Sequence, residues 1–228
     1  MAHADAARKI GCEPRLAEPR GLLKDKAYEV LKQLILDWTF KPGTFLSERQ
    51  LAIRLGMSKT PIRSALERLE HEGFVTISPQ QGIVVREFSL EEIVDLFDIR
   101  VALETFVVKA LSGRLSPASR ARLEENLERQ FEATQTGDVV AATRLDADFH
   151  ILLCEAHGNQ EILRTMLHLR DKLYRVVYRI LNHDPQRIAT SYDEHRAIGS
   201  AVIDGQGDLA AELIAKHLEW GKRALIAR

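Results

Sequence analysis

Asp146, His150, His195 and His217 are the residues of this chain whose types and spacing point most directly to chemistry. Asp146 and His150 are four apart, so on a helix they stack on one face. They interrupt an otherwise apolar stripe of Ala142, Leu145, Phe149 and Leu153. His195 stands in the stripe Ile188, Tyr192, Ile198 and Val202, and His217 in Leu213, Ile214, Gly221 and Leu225. Three segments thus each turn a carboxylate or an imidazole toward an apolar interior. Leaving such groups buried and unpaired costs several kcal/mol. One aspartate cannot satisfy three imidazoles, but a divalent metal ion can, and helical bundles build such sites from facing helices. One Asp with three His suits zinc first, with nickel, manganese or iron also compatible. The remaining histidines, His3, His71, His157, His168 and His183, lie in the N-terminal arm, near helix ends or off the clear stripes.

Arg100 adds a second kind of chemistry. It lies on the stripe Ile93, Leu96, Phe97, Leu103 and Val107, so its guanidinium points inward. There it either grips a small carboxylate or pairs with Glu104 one turn away. Both hold together if Glu104 orients the fork that receives the anion.

The elements that must position these groups are helices. From Ser89 onward the punctuation marks six of them, at about 89–111, 117–136, 138–157, 160–182, 186–204 and 208–227. Ser89 with Glu92 has capping-box spacing, Ser116-Pro117 is a second helix start, and Gly137-Asp138 a stop and restart. Gly158-Asn159, Asp184-Pro185 and Gly205 to Gly207 mark the other joints. Short joints between long amphipathic helices favour antiparallel packing, so an antiparallel six-helix bundle is expected.

Residues 47–86 have a different pattern. Ser47 and Gln50 have capping-box spacing for a first short helix, with Leu51, Ala52 and Leu55 on its apolar face and Gly56 as its stop. A second helix opens at Ser58, tolerates Pro61 in its first turn and carries Ile62, Ala65, Leu66 and Leu69 at helical spacing up to Gly73. Phe74 to Ile77 and Ile83 to Val85 then flank a turn at residues 78–82, a hairpin signal. Helix, turn, helix and hairpin in this order predict a winged helix-turn-helix, which places its second helix in a DNA major groove. Lys59, Thr60 and Arg63 cluster toward the N-terminal part of that helix, where Arg and Lys pair with guanine edges, and Arg49 stands in the first turn of the helix before it.

Composition agrees with two modest domains. At 228 residues and 45% hydrophobic content, each half can bury a core. The net charge of −1 divides unevenly. Residues 1–88 hold 14 Lys/Arg against 11 Asp/Glu, and residues 89–228 hold 18 against 22. A basic head on an acidic body fits DNA binding by the head alone. The two cysteines, Cys12 and Cys154, have no paired spacing, which disfavours disulfides and a thiolate zinc site. No apolar run approaches ~18 residues and no signal segment opens the chain, so a cytoplasmic protein without membrane contact is expected.

The stretch from Pro42 to Val85 resembles the DNA-binding domain of the GntR superfamily of bacterial transcription regulators. The resemblance covers about residues 22–88 and rests on Pro42-Gly43, the turn Thr60-Pro61-Ile62-Arg63 and Gly73-Phe74 occurring together. It implies operator contacts by Arg49, Lys59, Thr60 and Arg63, and a wing tip at Gln81-Gly82 that enters the minor groove. Lys59 stands where the family often has Arg and offers a point charge rather than a fork. Residues 89–225 resemble the effector domain of the FadR-type branch, carried by Arg100 to Glu104, Asp146 to His150 with Gly158-Asn159, Glu194 to Ile198, and His217-Leu218. The resemblance implies metal ligation by Asp146, His150, His195 and His217, with open positions for a small carboxylate. Six helices rather than seven resemble the VanR-like subgroup.

The expected protein is mainly α, with a flexible arm at 1–21, a winged head at 22–88 and an all-helical effector-binding and dimerisation domain at 89–228. Its expected role is a homodimeric transcription regulator, a repressor, that binds pseudo-palindromic operator DNA and responds to a small organic acid. Dimerisation follows because two half-sites one helical turn apart supply the specificity that one head lacks. Two alternatives stay open: a repressor that senses the metal itself, and a metal-dependent hydrolase. The hydrolase has no separate nucleophile or general-base motif in this chain and leaves the winged head unexplained, so an enzyme is not expected.

Overall fold

A computed structural model describes residues 20–78 and 82–226. The chain divides into two compact units, one ending at Arg86 and the other starting at Glu87. Gln81 and nearly all of the expected N-terminal arm lie outside the described residues.

The first unit runs α1 (Arg20–Leu36), β1 (Phe45–Leu46), α2 (Glu48–Leu55), α3 (Lys59–His71), β2 (Val75–Ser78) and β3 (Gly82–Val85). The sequence reading missed α1, which starts two residues inside the stretch assigned to the arm, and β1. Strands order β1-β3-β2, all antiparallel, with Val84 facing Phe45 on one side and Thr76 on the other. Leu31 and Ile35 of α1 bury against Ile62, Leu66 and Leu69 of α3, and Phe74 and Val85 close the core. Gly56 sits at φ 63° between α2 and α3, a left-handed turn that costs other residues ~1–2 kcal/mol. The expected box at Ser47 does not form. Ser47 has the extended backbone of an N-cap, yet its side chain makes no cap bond, and Gln50 faces solvent. The helix starts on backbone geometry alone, with Leu51 N donating to Ser47 O at 2.9 Å.

Among the described residues, the second unit is six helices: α4 (Leu90–Leu111), α5 (Pro117–Thr136), α6 (Val139–His157), α7 (Gln160–His183), α8 (Arg187–Ile203) and α9 (Gly207–Ile226). Here the expected caps are made. Ser89 Oγ accepts from Glu92 N at 3.1 Å while Ser89 N donates back to Glu92 Oε2 at 2.9 Å. Asp138 opens α6 by accepting from Ala141 N at 3.0 Å, directly after Gly137 closes α5 at φ 65°. Phe97, Val107, Phe149, Ile198, Ile214 and Leu218 fill one continuous core.

The α4–α9 contact is close because α9 carries Gly221. A β-carbon there would stand 2.9 Å from Phe97 Cε1 and 3.1 Å from Cζ. Gly221→Ala is expected to lower the stability of the folded protein by about 1–3 kcal/mol, the usual cost of overpacking. Denaturant unfolding of the two proteins side by side measures it, and because alanine by itself favours a helix interior by about 0.5–1 kcal/mol, a raised midpoint in the variant is the result that would contradict the close contact.

Candidate metal centre and DNA-binding face

Three helices bring the four sequence-singled residues into one cluster. Asp146 and His150 come from α6, His195 from α8 and His217 from α9. Their exposures are 6%, 2%, 0% and 8%, so bulk water scarcely reaches them. One ligand atom from each lies within 4.8 Å of all the others. His195 Nε2 is 3.2 Å from His217 Nε2 and 3.6 Å from Asp146 Oδ1. Phe149 stacks on the His195 ring at 4.2 Å and holds its plane.

The outward nitrogens of the three rings are all taken. His150 Nδ1 meets Glu104 Oε2 at 2.5 Å, His195 Nδ1 meets Gln130 Oε1 at 2.8 Å, and His217 Nδ1 meets Glu194 Oε2 at 2.6 Å. Each partner is an acceptor oxygen, so each Nδ1 donates, and in the neutral ring Nε2 then carries a lone pair. Burial and the neighbouring cations push His195 well below the ordinary imidazole range, and burial is the largest cause of the lowering at His217. Two neutral Nε2 atoms at 3.2 Å cannot hydrogen-bond to each other with both protons on Nδ1. His150 Nε2 is fully buried with no partner at all. Three lone pairs and a carboxylate converging on one point, with nothing to donate to them, is the donor set of a metal ion, and the outer oxygens are the partners that orient metal-ligating imidazoles. The residues therefore fit a divalent metal.

Both outer carboxylates are themselves neutralised by buried arginines. Arg100 Nε donates to Glu104 Oε1 at 2.7 Å, with both groups essentially inaccessible. Burial pushes the Glu104 carboxyl up, but the Arg100 charge and His150 outweigh it and hold it at about 2. Arg187 donates to both Glu194 oxygens and lies 3.7 Å over the Trp220 ring. Burial likewise raises Glu194, and its bonds to His217 and Arg187 bring it to about 2. Arg100 thus pairs with Glu104, and it also lines the space beside the cluster. Two pockets, each with room for little more than a water molecule, share Arg100, Asp146 and Val177 in their walls.

In the head, Arg49 on α2 and Lys59, Thr60 and Arg63 on α3 are all exposed, as is Gly82 at the start of β3. The apolar positions of α3, Ile62, Ala65, Leu66 and Leu69, point into the core, so the polar face is left to solvent. Arg63 is not free. Its Nε and Nη2 donate to the two Glu48 oxygens, each at 3.0 Å, which holds the fork against the start of α2.

Residues 95–219 match the FCD domain and residues 23–85 match the gntR family of bacterial regulatory proteins. This chain belongs to the GntR family of transcription regulators. Its α2–α3 pair is the family's DNA-binding helix-turn-helix, and α4–α9 form the FCD effector domain. The GntR chain is 32% identical over 191 residues to a helix-turn-helix transcriptional regulator of Streptomyces ambofaciens, covering 84% of this chain and 80% of that protein. It is 28% identical over 203 residues to the transcriptional repressor RspR of Escherichia coli K12, covering 88% of each. A solved GntR regulator from Rhodococcus sp. RHA1 superposes with a TM-score of 0.78 over 90% of this chain and 98% of that one, at 24% identity, which shows the shared fold. These relatives are named as regulators of transcription, and the GntR protein here is a DNA-binding regulator rather than an enzyme. No described helix is long and apolar enough to cross a membrane.

Several residues of the GntR chain's candidate site escaped sequence reasoning. Glu194 adjoins His195 but was not assigned a role, and Arg187 at the start of α8 carries no periodic signal. Asn126 and Gln130 had one. They stand between Leu123 and Ala133 at helical spacing on α5, two amides on an otherwise buried apolar face.

Proposed function

We propose that this GntR-family protein is a homodimeric repressor whose helical domain, residues 89–228, holds one divalent metal ion per chain at Asp146, His150, His195 and His217. The observation that carries the metal reading is the buried, partnerless Nε2 of His150 among the other inward-facing ligand atoms. Zinc is the first choice for this donor set, with nickel, manganese and iron as the alternatives to test. When bound, the ion supplies a Lewis-acidic position for an oxygen ligand.

The effector we assign is a small organic acid. Asp146 alone offsets one of the two charges of the ion, while the Arg100–Glu104 and Arg187–Glu194 pairs cancel. A buried site with one net positive charge favours an anion, and Arg100 in the cavity wall offers N–H groups beyond the one given to Glu104. Release of operator DNA then requires that the acid bind the DNA-incompetent state more tightly, and by linkage operator DNA weakens acid binding by the same factor. The repressor sign is supported by the 28% identical RspR, which is named a repressor.

Elemental analysis of purified protein tests the metal, with about one ion per chain expected for a site of four protein ligands. A thermal-shift screen of organic acids on the loaded protein tests the effector, since a ligand at 100 times its Kd adds about 2.7 kcal/mol. Release of DNA by added metal alone, with no response to any acid, would favour the metal-sensing alternative.

The head residues 22–88 make the operator contacts in this reading, through Arg49, Lys59, Thr60 and Arg63 and a wing tip at Gln81-Gly82. Arg63→Ala and Arg49→Ala are each expected to lose roughly tenfold or more in operator discrimination while keeping their helical content. Electrophoretic mobility shifts on specific and scrambled duplexes read this directly. Unchanged discrimination in both variants would remove the recognition-helix assignment.

A further inference from the structure

We infer that Asn126 and Gln130 are positioning residues that set which nitrogen of His195 carries the proton, so that the Nε2 facing the metal site keeps its lone pair. This rests on the metal reading above and concerns how the apo protein keeps the site ready.

The histidine ligands are not held alike. His150 and His217 lean on the carboxylates of Glu104 and Glu194, which only accept, so their Nδ1 atoms must donate. His195 leans on an amide, Gln130, and an amide can turn either its oxygen or its NH2 toward the ring. With the NH2 inward, His195 would protonate on Nε2 and push an N–H into the cluster where a lone pair is needed.

The choice is made two links away. Asn126 Nδ2 donates to the Leu145 carbonyl at 3.1 Å, and a backbone carbonyl only accepts, so the Asn126 amide has one orientation. Asn126 Oδ1 then faces Gln130 and accepts from its Nε2 at 2.6 Å. That leaves Gln130 Oε1 toward His195, where it accepts from Nδ1 at 2.8 Å. The exposures of Asn126, Gln130 and His195 are 6%, 5% and 0%, so little solvent competes for these bonds. Direction runs from Leu145, the residue before Asp146, through α5 to α8. The chain therefore ties the His195 tautomer to the same stretch of α6 that carries the aspartate ligand.

Asn126→Leu frees Gln130 to flip although it touches no ligand. Zinc affinity, measured by competition with a chromogenic chelator, is expected to fall about 10–100-fold, the usual effect of losing an outer partner. Adding Gln130→Glu to that variant is expected to restore affinity to within a few-fold of wild type, because a carboxylate presents an acceptor in either orientation. A purely structural role for Asn126 would not be rescued by a second buried acid. Long-range 1H–15N spectra of the metal-free wild-type protein give a readout independent of any variant's folding, with His195 expected protonated on Nδ1. Protonation on Nε2 would overturn the inference, as would undiminished zinc affinity in Asn126→Leu or failure of the glutamate to restore it in a folded double variant. Wild-type protein that binds no divalent ion would instead overturn the metal reading while leaving the tautomer measurement to stand by itself.

Discussion

His195→Ala and His217→Ala are expected to abolish the proposed metal binding of the purified protein while leaving it folded. Loss of an outer partner costs about 10–100-fold in metal affinity, so loss of a direct ligand is expected to cost more than about 100-fold. The fold should survive. The two Nε2 atoms face each other at 3.2 Å, so removing either ring relieves an unfavourable approach in the empty site. In His217→Ala the freed Glu194 carboxylate keeps both of its bonds to Arg187. Elemental analysis should show the metal content collapsing, and added zinc should raise the melting temperature of wild type but not of the variants. Variants that retain a full complement of metal would place the ion elsewhere or remove it from the protein's chemistry.

Arg100 gives the second large effect, and the structure changes which substitution tests it. Arg100→Ala would leave Glu104 charged at 1% exposure, and breaking a buried pair in this way costs about 3–5 kcal/mol. Glu104 also orients His150 through its other oxygen, so the alanine variant is expected to lose stability and metal together. Arg100→Lys keeps the cation beside Glu104 and removes the fork that receives a carboxylate. In the lysine variant, operator affinity and metal content should remain near wild type while the acid concentration needed to release DNA rises by about tenfold or more, the size of one lost charge-assisted bond. Fluorescence anisotropy of labelled operator against added acid measures it. Release at wild-type concentrations would make Arg100 a structural partner of Glu104 only.

Much of this protein is legible in its sequence because its signals are local. Helix limits followed from caps and glycines that act within one turn, as at Ser89 with Glu92 and at Gly137 with Asp138. Asp146, His150, His195 and His217 stood out because each breaks an apolar stripe on its own helix, a pattern that helical period alone reveals. The helix-turn-helix was readable for the same reason. Where local signals are weak the reading missed elements, as with the two-residue strand β1, which exists only by pairing with β3.

What joins the helices was decided by tertiary structure. Glu104 is 46 residues from His150, Gln130 is 65 from His195, and even the Glu48 that holds Arg63 is 15 away on another helix. Such partners depend on how two helices are rotated and crossed, which no spacing within either one encodes. Sequence supplied the candidate ligands by their misfit in apolar faces. Only the packed bundle could supply the oxygens that turn each ring inward, because a side-chain hydrogen bond between helices is set to within a few tenths of an ångström by the packing around it.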